Sequence, residues 1–383
     1  MAKRRPAGDG LVRKRSDGRW EGRIVVGHKA DGSPIFRSVF ARTQGELLKK
    51  LHSRIEEYRD VELTEESNMT LGQWLDKWLA DYMTLTVRES TLDSYKNVIK
   101  NQIKPLLGDE KISTITTADV QKMYNWLREN GRVEEHDEKG NALSDSMIRS
   151  VHMVLHQALD VAVRERLIPK NPTEGAIVPK VNYPPKQILT EEQVEKFLEV
   201  LKQDPQWFDF FYTELTTGMR RGEICGLKWQ DFEEKTGRLH IHRSVSERKG
   251  GGVRVGETKT ESGARTILLP PSTAELLKER KKKSYSEWIF HNPTVPELPL
   301  SPQRAYSHLK TLLKNAELPM IRFHDLRHTF ATHALTSGVD AKTLSTILGH
   351  TNASFTLDTY THMTTDMHKK AAGVVAGFLD EIM

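Results

Sequence analysis

The stretch FHDLRHTFATHAL, Phe323 to Leu335, carries a charge on what should be its buried side. Leu326, Phe330, Ala331, Ala334 and Leu335 recur at helical spacing and gather on one face. At about 100° per residue, Arg327 falls inside that apolar arc between Ala331 and Ala334, and His324 lies one turn earlier at its edge. TTGMRRGEICGLKWQDF repeats the pattern. In a helix starting after Thr217, Met219, Ile224 and Leu227 define the arc, Arg220 lies within it and Arg221 points away. Glu223 stands one turn on, where a carboxylate can hold a guanidinium in position. A buried guanidinium is costly unless an opposite charge meets it. Each arginine could pair with a private carboxylate. Two together, with histidines nearby, favour a shared oxyanion, and phosphate suits the planar guanidinium fork best.

The next segments supply the rest of a reaction centre. In SGVDAKTLSTILGHTN, Asp340 is the expected N-cap, the helix runs to about Leu348 and Gly349 stops it, so His350 projects from a helix end. Tyr360 follows in TLDTYTHM. Tyrosine is a poor nucleophile at its ordinary pKa, but cations that lower the cost of the phenolate allow covalent catalysis. Attack on a phosphodiester builds charge on its nonbridging oxygens, which preoriented guanidiniums and histidine donors stabilise. The product would be a phosphotyrosyl ester that stores the bond energy, so no nucleotide cofactor is expected.

Two competing readings use the same residues. His324 and His328 are four apart, His333 follows, and His240 and His242 share one strand face, which is the raw material of a zinc hydrolase. No HExxH is present and Arg327 would repel a cation, so no metal is expected. A noncatalytic DNA-binding regulator would explain helices and basic patches, yet has no use for an isolated nucleophile.

Three segments must position these residues, and a fold of several domains is expected from 383 residues. Residues 1–62 read as a small basic sheet plus helix: GRWEGRIVVG, the turn KADGSP, IFRSVF, then a helix from Thr43 to about Tyr58. Residues 69–178 read as all-α. TLGQWLDKWLADYM, STLDSYKNVIKNQIKPLLG, TTADVQKMYNWLREN and SDSMIRSVHMVLHQALDVAVRERLI each open on a Ser, Thr or Asp cap and carry a 3.6-residue stripe. The Pro-rich IPKNPTEGAIVPKVNYPPKQ reads as an extended linker. Residues 188–383 read as mixed and mainly α. There the turns KGGG and ESG divide GRLHIHRSVSERKGGGVRVGETKTESGARTILLP into a three-stranded sheet. The final segment carries an apolar stripe, Ala371, Val374, Val375, Phe378, Leu379 and Ile382, which either folds back on its own domain or docks on a neighbour.

Charge is unevenly placed. Residues 1–60 hold 15 Lys and Arg against 8 Asp and Glu, a surplus of +7 in a chain whose total is +5. A basic appendage on a nearly neutral body suggests a polyanion partner. The single cysteine, Cys225, excludes an internal disulfide framework and a cysteine-based zinc module. No apolar run reaches the length of a membrane span, and no apolar h-region follows the basic N-terminus, so a cytoplasmic location and no membrane partner are expected.

TGMRRGE, a lysine within ETKTESGART, HDLRHTFATHAL, LGH and TYTH occur in this order over about 140 residues. That order resembles the tyrosine recombinases, the family of lambda-type phage integrases and conjugative-transposon integrases. The resemblance implies that Arg220 and Arg327 clamp the scissile phosphate, His324 takes part in proton transfer and hydrogen bonding to it, and His350 holds the position of a second donor. It implies that Tyr360 is the nucleophile, that Lys259 is the hairpin lysine that protonates the leaving 5′ oxygen, and that Glu223 supports the site; hairpin register varies, and Lys249 is nearby. It further implies an arm-binding N-terminal domain, a helical core-DNA-binding domain and a C-terminal catalytic domain. The expected partners are double-stranded DNA at core and arm sites, a homotetramer on that DNA, a directionality factor and a DNA-bending protein. Candidate DNA contacts are Arg4, Arg5, Arg13, Lys14, Arg15, Arg19, Arg23, Arg248 and Lys249.

Overall fold

The computed structural model describes residues 11–28, 31–58, 65–133, 140–182, 187–248, 250–258 and 263–349. The chain divides into two compact units, Met1–Tyr183 and Pro184–Met383. The first unit holds two apolar cores and the second is built around one large core with a small satellite.

The N-terminal core is an antiparallel meander of β1 (Leu11–Lys14), β2 (Trp20–His28) and β3 (Pro34–Ala41). Helix α1 (Gln44–Glu57) covers one face, and the Thr43 hydroxyl caps it by accepting from the Glu46 amide at 3.3 Å. Leu47 and Leu51 of α1 are fully buried, and Ile24 and Val26 of β2 lie in the same core. Gly22 lets helix and sheet approach, since a Cβ there would stand 3.0 Å from Leu51.

The helical core of the same unit begins with α2 (Leu71–Trp78), which runs on through a wide turn at Leu79–Met83. Next come α3 (Glu89–Val98), a second wide turn at Ile99–Ile103, and α4 (Lys104–Leu107). Helices α5 (Thr117–Asn130) and α6 (Asp145–Arg164) complete it. Thr70, Thr116 and Ser144 cap their helices as expected, but α3 starts one residue earlier than its serine, with Arg88 at the cap position. The second wide turn precedes Pro105, which has no N–H for a regular helical bond and disfavours a tight turn before it. Trp74 and Trp78 fill the centre, and the Trp74 indole donates to the Ala158 carbonyl at 2.9 Å.

The segment expected to be an extended linker is packed at its start. Asn171 and Thr173 are buried, and Asn171 donates to Asp160 of α6 at 2.6 Å while the Thr173 hydroxyl meets the His156 ring at 2.7 Å. Side-chain hydrogen bonding therefore holds this Pro-containing turn against α6.

The second unit opens with α7 (Glu191–Lys202), α8 (Pro205–Thr217) and the short α9 (Arg221–Cys225). Five strands follow: β4 (Phe232–Glu233), β5 (Arg238–Ile241), β6 (Arg243–Glu247), β7 (Val253–Glu257) and β8 (Arg265–Leu268). Helices α10 (Pro271–Lys282), α11 (Pro302–Asn315), α12 (Phe323–Thr336) and α13 (Ala341–Leu348) complete it. The three-stranded sheet is β4-β5-β8, while β6 and β7 form a separate hairpin. The expected block of three strands is thus four, joined by a strand that precedes it. The reason is a change of partner at His242: Ile241 pairs with Arg265 of β8, whereas Arg243 pairs with Glu257 of β7. Phe197, Phe210, Phe211, Phe290 and Phe323 occupy the centre of the core beneath these elements. No helix among the described residues is long and apolar enough to cross a membrane. The apolar stripe from Ala371 to Ile382 lies outside the described residues.

Candidate active site

The chain between α8 and α9 sets the site. Helix α8 ends at Gly218, which adopts the left-handed conformation with φ +58°, and α9 begins only at Arg221. The single helix expected after Thr217 is therefore two helices with a reversal between them. A Cβ at Gly218 would lie 2.3 Å from the Phe330 ring, so glycine serves both the turn and the close approach of α12. Because of the reversal, Arg220 is not on a helical face. It sits at the N-cap of α9 with its side chain about one third exposed. Arg221 turns to the Tyr306 ring, 5.7 Å from its centroid.

Arg327 is as buried as the spacing required, at 1% exposure. Its Nη1 donates to the Gly218 carbonyl at 2.9 Å and its Nη2 to the Leu348 carbonyl at 2.7 Å. Burial, and next the neighbouring Arg220, push its pKa down to about 10, so it keeps its charge at neutral pH. Glu214 on α8 is fully buried, with neither carboxyl oxygen hydrogen-bonded to another group. Burial raises its pKa well above the usual carboxylate range, against the pull of Arg327. A carboxyl so placed stays protonated rather than bear an unsolvated charge.

Glu223 is the ionised carboxylate of the site and is 2% exposed. Burial opposes its charge, but Arg265 and then Arg220 outweigh that and hold its pKa below the usual value. Arg220 Nη1 reaches Glu223 Oε1 at 2.6 Å, and Arg265 Nη2 reaches Oε2 at 2.9 Å.

Three guanidiniums from separate elements then converge on one helix end. Arg265 donates through Nε to the Ile347 carbonyl, Arg327 to Leu348, and Arg220 Nη2 to Gly349 at 2.7 Å. These are carbonyls that the last turn of α13 leaves without helical partners, at the negative end of its dipole. Asp340 caps the other end by accepting from the Lys342 and Thr343 amides, and Gly349 closes the helix at φ +65°, both as expected. Residue 350 follows directly. Three guanidiniums face one ionised carboxylate here, which leaves net positive charge available to an anion.

His324 is exposed in the first turn of α12, three residues before Arg327. Its ring meets that of buried His328 edge-on at 4.8 Å. Tyr360, His350, Lys259, Lys249, Arg4 and Arg5 lie outside the described residues. Arg265 is the residue that sequence reasoning missed. It shares its strand face with buried Ile267, and that period-two pattern was the available signal.

The histidines of the zinc reading have other engagements. His240 contacts Glu233 at 2.7 Å and Thr266 at 2.8 Å, His242 lies 3.2 Å from Asp231, and His333 meets the Leu189 carbonyl at 2.9 Å. Among the described residues, no group of three or more His, Cys, Asp or Glu is placed to hold a metal ion.

Arg13, Lys14, Arg15, Arg19 and Arg23 lie on or between β1 and β2, and Arg248 is exposed where the β6–β7 hairpin turns.

Known proteins give this arrangement a context. Residues 187–367 match the phage integrase family, and residues 70–128 match the N-terminal SAM-like domain of phage integrases. A tyrosine recombinase XerC-like protein of Caldanaerobacter subterraneus subsp. tengcongensis is 27% identical over 89% of this chain and 91% of its own. The Tn1549 transposon integrase, solved in complex with circular intermediate DNA, superposes with a TM-score of 0.67 at 24% identity, over 80% of this chain and 100% of that one. Lambda integrase, solved as a tetramer bound to a Holliday junction, superposes with a TM-score of 0.58 at 20% identity, over 92% of this chain and 97% of that one.

Proposed function

Because the chain belongs to the phage integrase family of tyrosine recombinases, enzymes that cut and rejoin DNA strands, we propose that the arginine centre described above binds the scissile phosphate of a mobile element's recombination site. The protein is a site-specific recombinase of the integrase type. The observation that carries the assignment of roles is the convergence of Arg220, Arg265 and Arg327 on the end of α13, one residue before His350.

In the reaction, the Tyr360 hydroxyl gives its proton to His324 as its oxygen attacks phosphorus, the P–O5′ bond breaks, and a 3′-phosphotyrosyl ester and a free 5′ hydroxyl result. Arg220 and Arg327 neutralise the charge that grows on the nonbridging oxygens. His324 and His350 donate hydrogen bonds to the same group, and Lys259 gives its proton to the departing 5′ oxygen. Glu223 holds Arg220 in place. Attack by a partner strand's 5′ hydroxyl reverses the step, and two rounds pass through a Holliday junction.

The N-terminal sheet with Arg13, Lys14, Arg15, Arg19 and Arg23 serves as the arm-site domain, and residues 69–178 contact the core site. Four copies assemble on the DNA, with a directionality factor and a DNA-bending protein as further partners. The test is a nicked duplex carrying the element's end, incubated with wild type and Tyr360→Phe in EDTA. A covalent protein–DNA adduct on denaturing gels, absent from the Phe variant, is expected. Sound binding with no adduct would instead favour a noncatalytic DNA-binding regulator.

A further inference from the structure

The face of the N-terminal sheet that α1 leaves uncovered holds a carboxylate where a solvent-facing strand would ordinarily expose one. Glu21, in the central strand β2, is only 2% exposed. It is covered by arginines. Arg13, its direct partner across β1, donates through Nε at 2.8 Å and Nη2 at 2.7 Å to Oε2. Arg23, two residues along the same strand, donates through Nε at 2.9 Å to Oε1. Ser38 of β3 adds its hydroxyl at 3.3 Å, and Arg15 Nη1 approaches to 3.7 Å. Hydrogen bonding from Arg13 leads the effects that hold the Glu21 pKa below the usual range, so the carboxylate stays ionised.

The geometry fixes which end of each arginine is used. Arg13 is held along its Nε–Nη2 side and Arg23 by Nε, while their side chains remain 51% and 39% exposed. A guanidinium anchored at Nε keeps its outer N–H edge free for a second planar acceptor and has lost the rotational freedom that would otherwise oppose binding. The planar acceptor pair that suits such an edge in duplex DNA is O6 and N7 of guanine in the major groove. Val25 and Phe36, cross-strand partners on the same face, are each about half exposed and offer apolar contact of the kind a thymine methyl takes.

We propose that Arg13 and Arg23 read guanines in the major groove and that Glu21 is their positioning residue, so that the arm site is defined by guanines set beside thymines. This rests on the reading of the N-terminal sheet as a DNA-contacting domain and goes beyond it by assigning the bases. Phosphate binding alone would not need the anchoring, because phosphate contacts carry no base information and tolerate a mobile lysine.

The experiment selects binding sites from a randomised duplex pool with the full-length protein. It compares wild type, Glu21→Gln, Arg13→Lys, Arg23→Lys and the double variant Arg13→Ala/Arg23→Ala, with Lys50→Gln on α1 as the control for loss of one charge. Wild type should enrich a motif containing guanines that the double variant no longer enriches. Glu21→Gln and each lysine variant should lower discrimination at those guanines by roughly tenfold or more, while Lys50→Gln leaves it intact. Hydrogen exchange of the β1–β3 amides in each variant establishes that the sheet is folded. A motif that depends on Arg13 and Arg23 yet contains no guanine, or whose guanine preference survives Glu21→Gln, overturns the proposal and leaves the DNA-contacting domain standing. An unchanged motif and affinity in the double alanine variant would remove both.

Discussion

Two regions of this molecule build the same charge motif and bury it to different depths. Glu21 in the N-terminal sheet and Glu223 in α9 are each 2% exposed, and each accepts from two arginines. Around Glu21 the arginine side chains stand 51% and 39% exposed. Around Glu223 they stand 34% and 5% exposed, with Arg327 at 1% close by. The difference assigns the work. Exposed guanidiniums are screened by salt and fit a partner whose identity varies along a groove. Buried ones keep a fixed orientation in a medium of low polarity, where little reorganisation is needed when charge develops.

The sharpest way to break this contrast is to truncate the arginines of the second region. Arg220→Ala and Arg327→Ala should each slow single-turnover formation of the covalent adduct by about 10²–10³ fold, by analogy with loss of one oxyanion-hole donor. Variants that cleave at wild-type rate would mean that the buried set is only structural.

Arg265 tests the other half of the argument. Arg265→Gln leaves Glu223 with Arg220 as its remaining charged partner in a buried setting, and breaking such a pair costs about 3 kcal/mol or more. In a unit of this size that corresponds to a fall of roughly 6–12 °C in Tm, measurable by calorimetry. A fall much smaller than this would show that water reaches Glu223 and that the two regions differ less than their exposures imply.

Glu214 sharpens the contrast through pH. Its folded pKa is raised, so above the ordinary value of 4.5 the folded chain keeps a proton that the unfolded chain releases. Stability due to this group is therefore intact below pH 4.5 and declines as pH rises toward the raised value. Glu214→Gln removes the titration, so its Tm relative to wild type should climb as pH rises above 4.5. A constant difference across that range would mean the carboxyl is already ionised in the fold.

The smallest effect belongs to the exposed motif. Glu21→Gln should leave Tm nearly unchanged, because ion pairs whose arginines are open to solvent contribute little to stability. A large loss of Tm would place Glu21 in the fold rather than in recognition.

These contrasts were partly legible in the amino-acid order. The apolar arc around Arg327 needed only helical spacing, and the Asp340 and Gly349 boundaries of α13 needed only capping chemistry. Arg220 was singled out for the wrong local reason. A helix spanning Thr217 to Leu227 matches the apolar spacing, yet Gly218 turns left-handed, and Phe330, more than a hundred residues away, occupies the space a side chain there would need. Arg265 stayed hidden because its partners Glu223 and Ile347 come from other elements. The change of strand partner at His242 is likewise set by pairing between distant segments. Local signals reached local structure, and the missed features are those fixed by tertiary contacts.

The most direct measurement uses Arg327→Lys, which keeps the positive charge and loses the fork. On one nicked duplex, both the equilibrium Kd and the single-turnover rate of adduct formation are determined. The rate should fall by about 10² fold or more while Kd changes little, because the buried guanidinium acts on the charge that develops during attack. A rate equal to wild type, or a loss of affinity as large as the loss of rate, would contradict it.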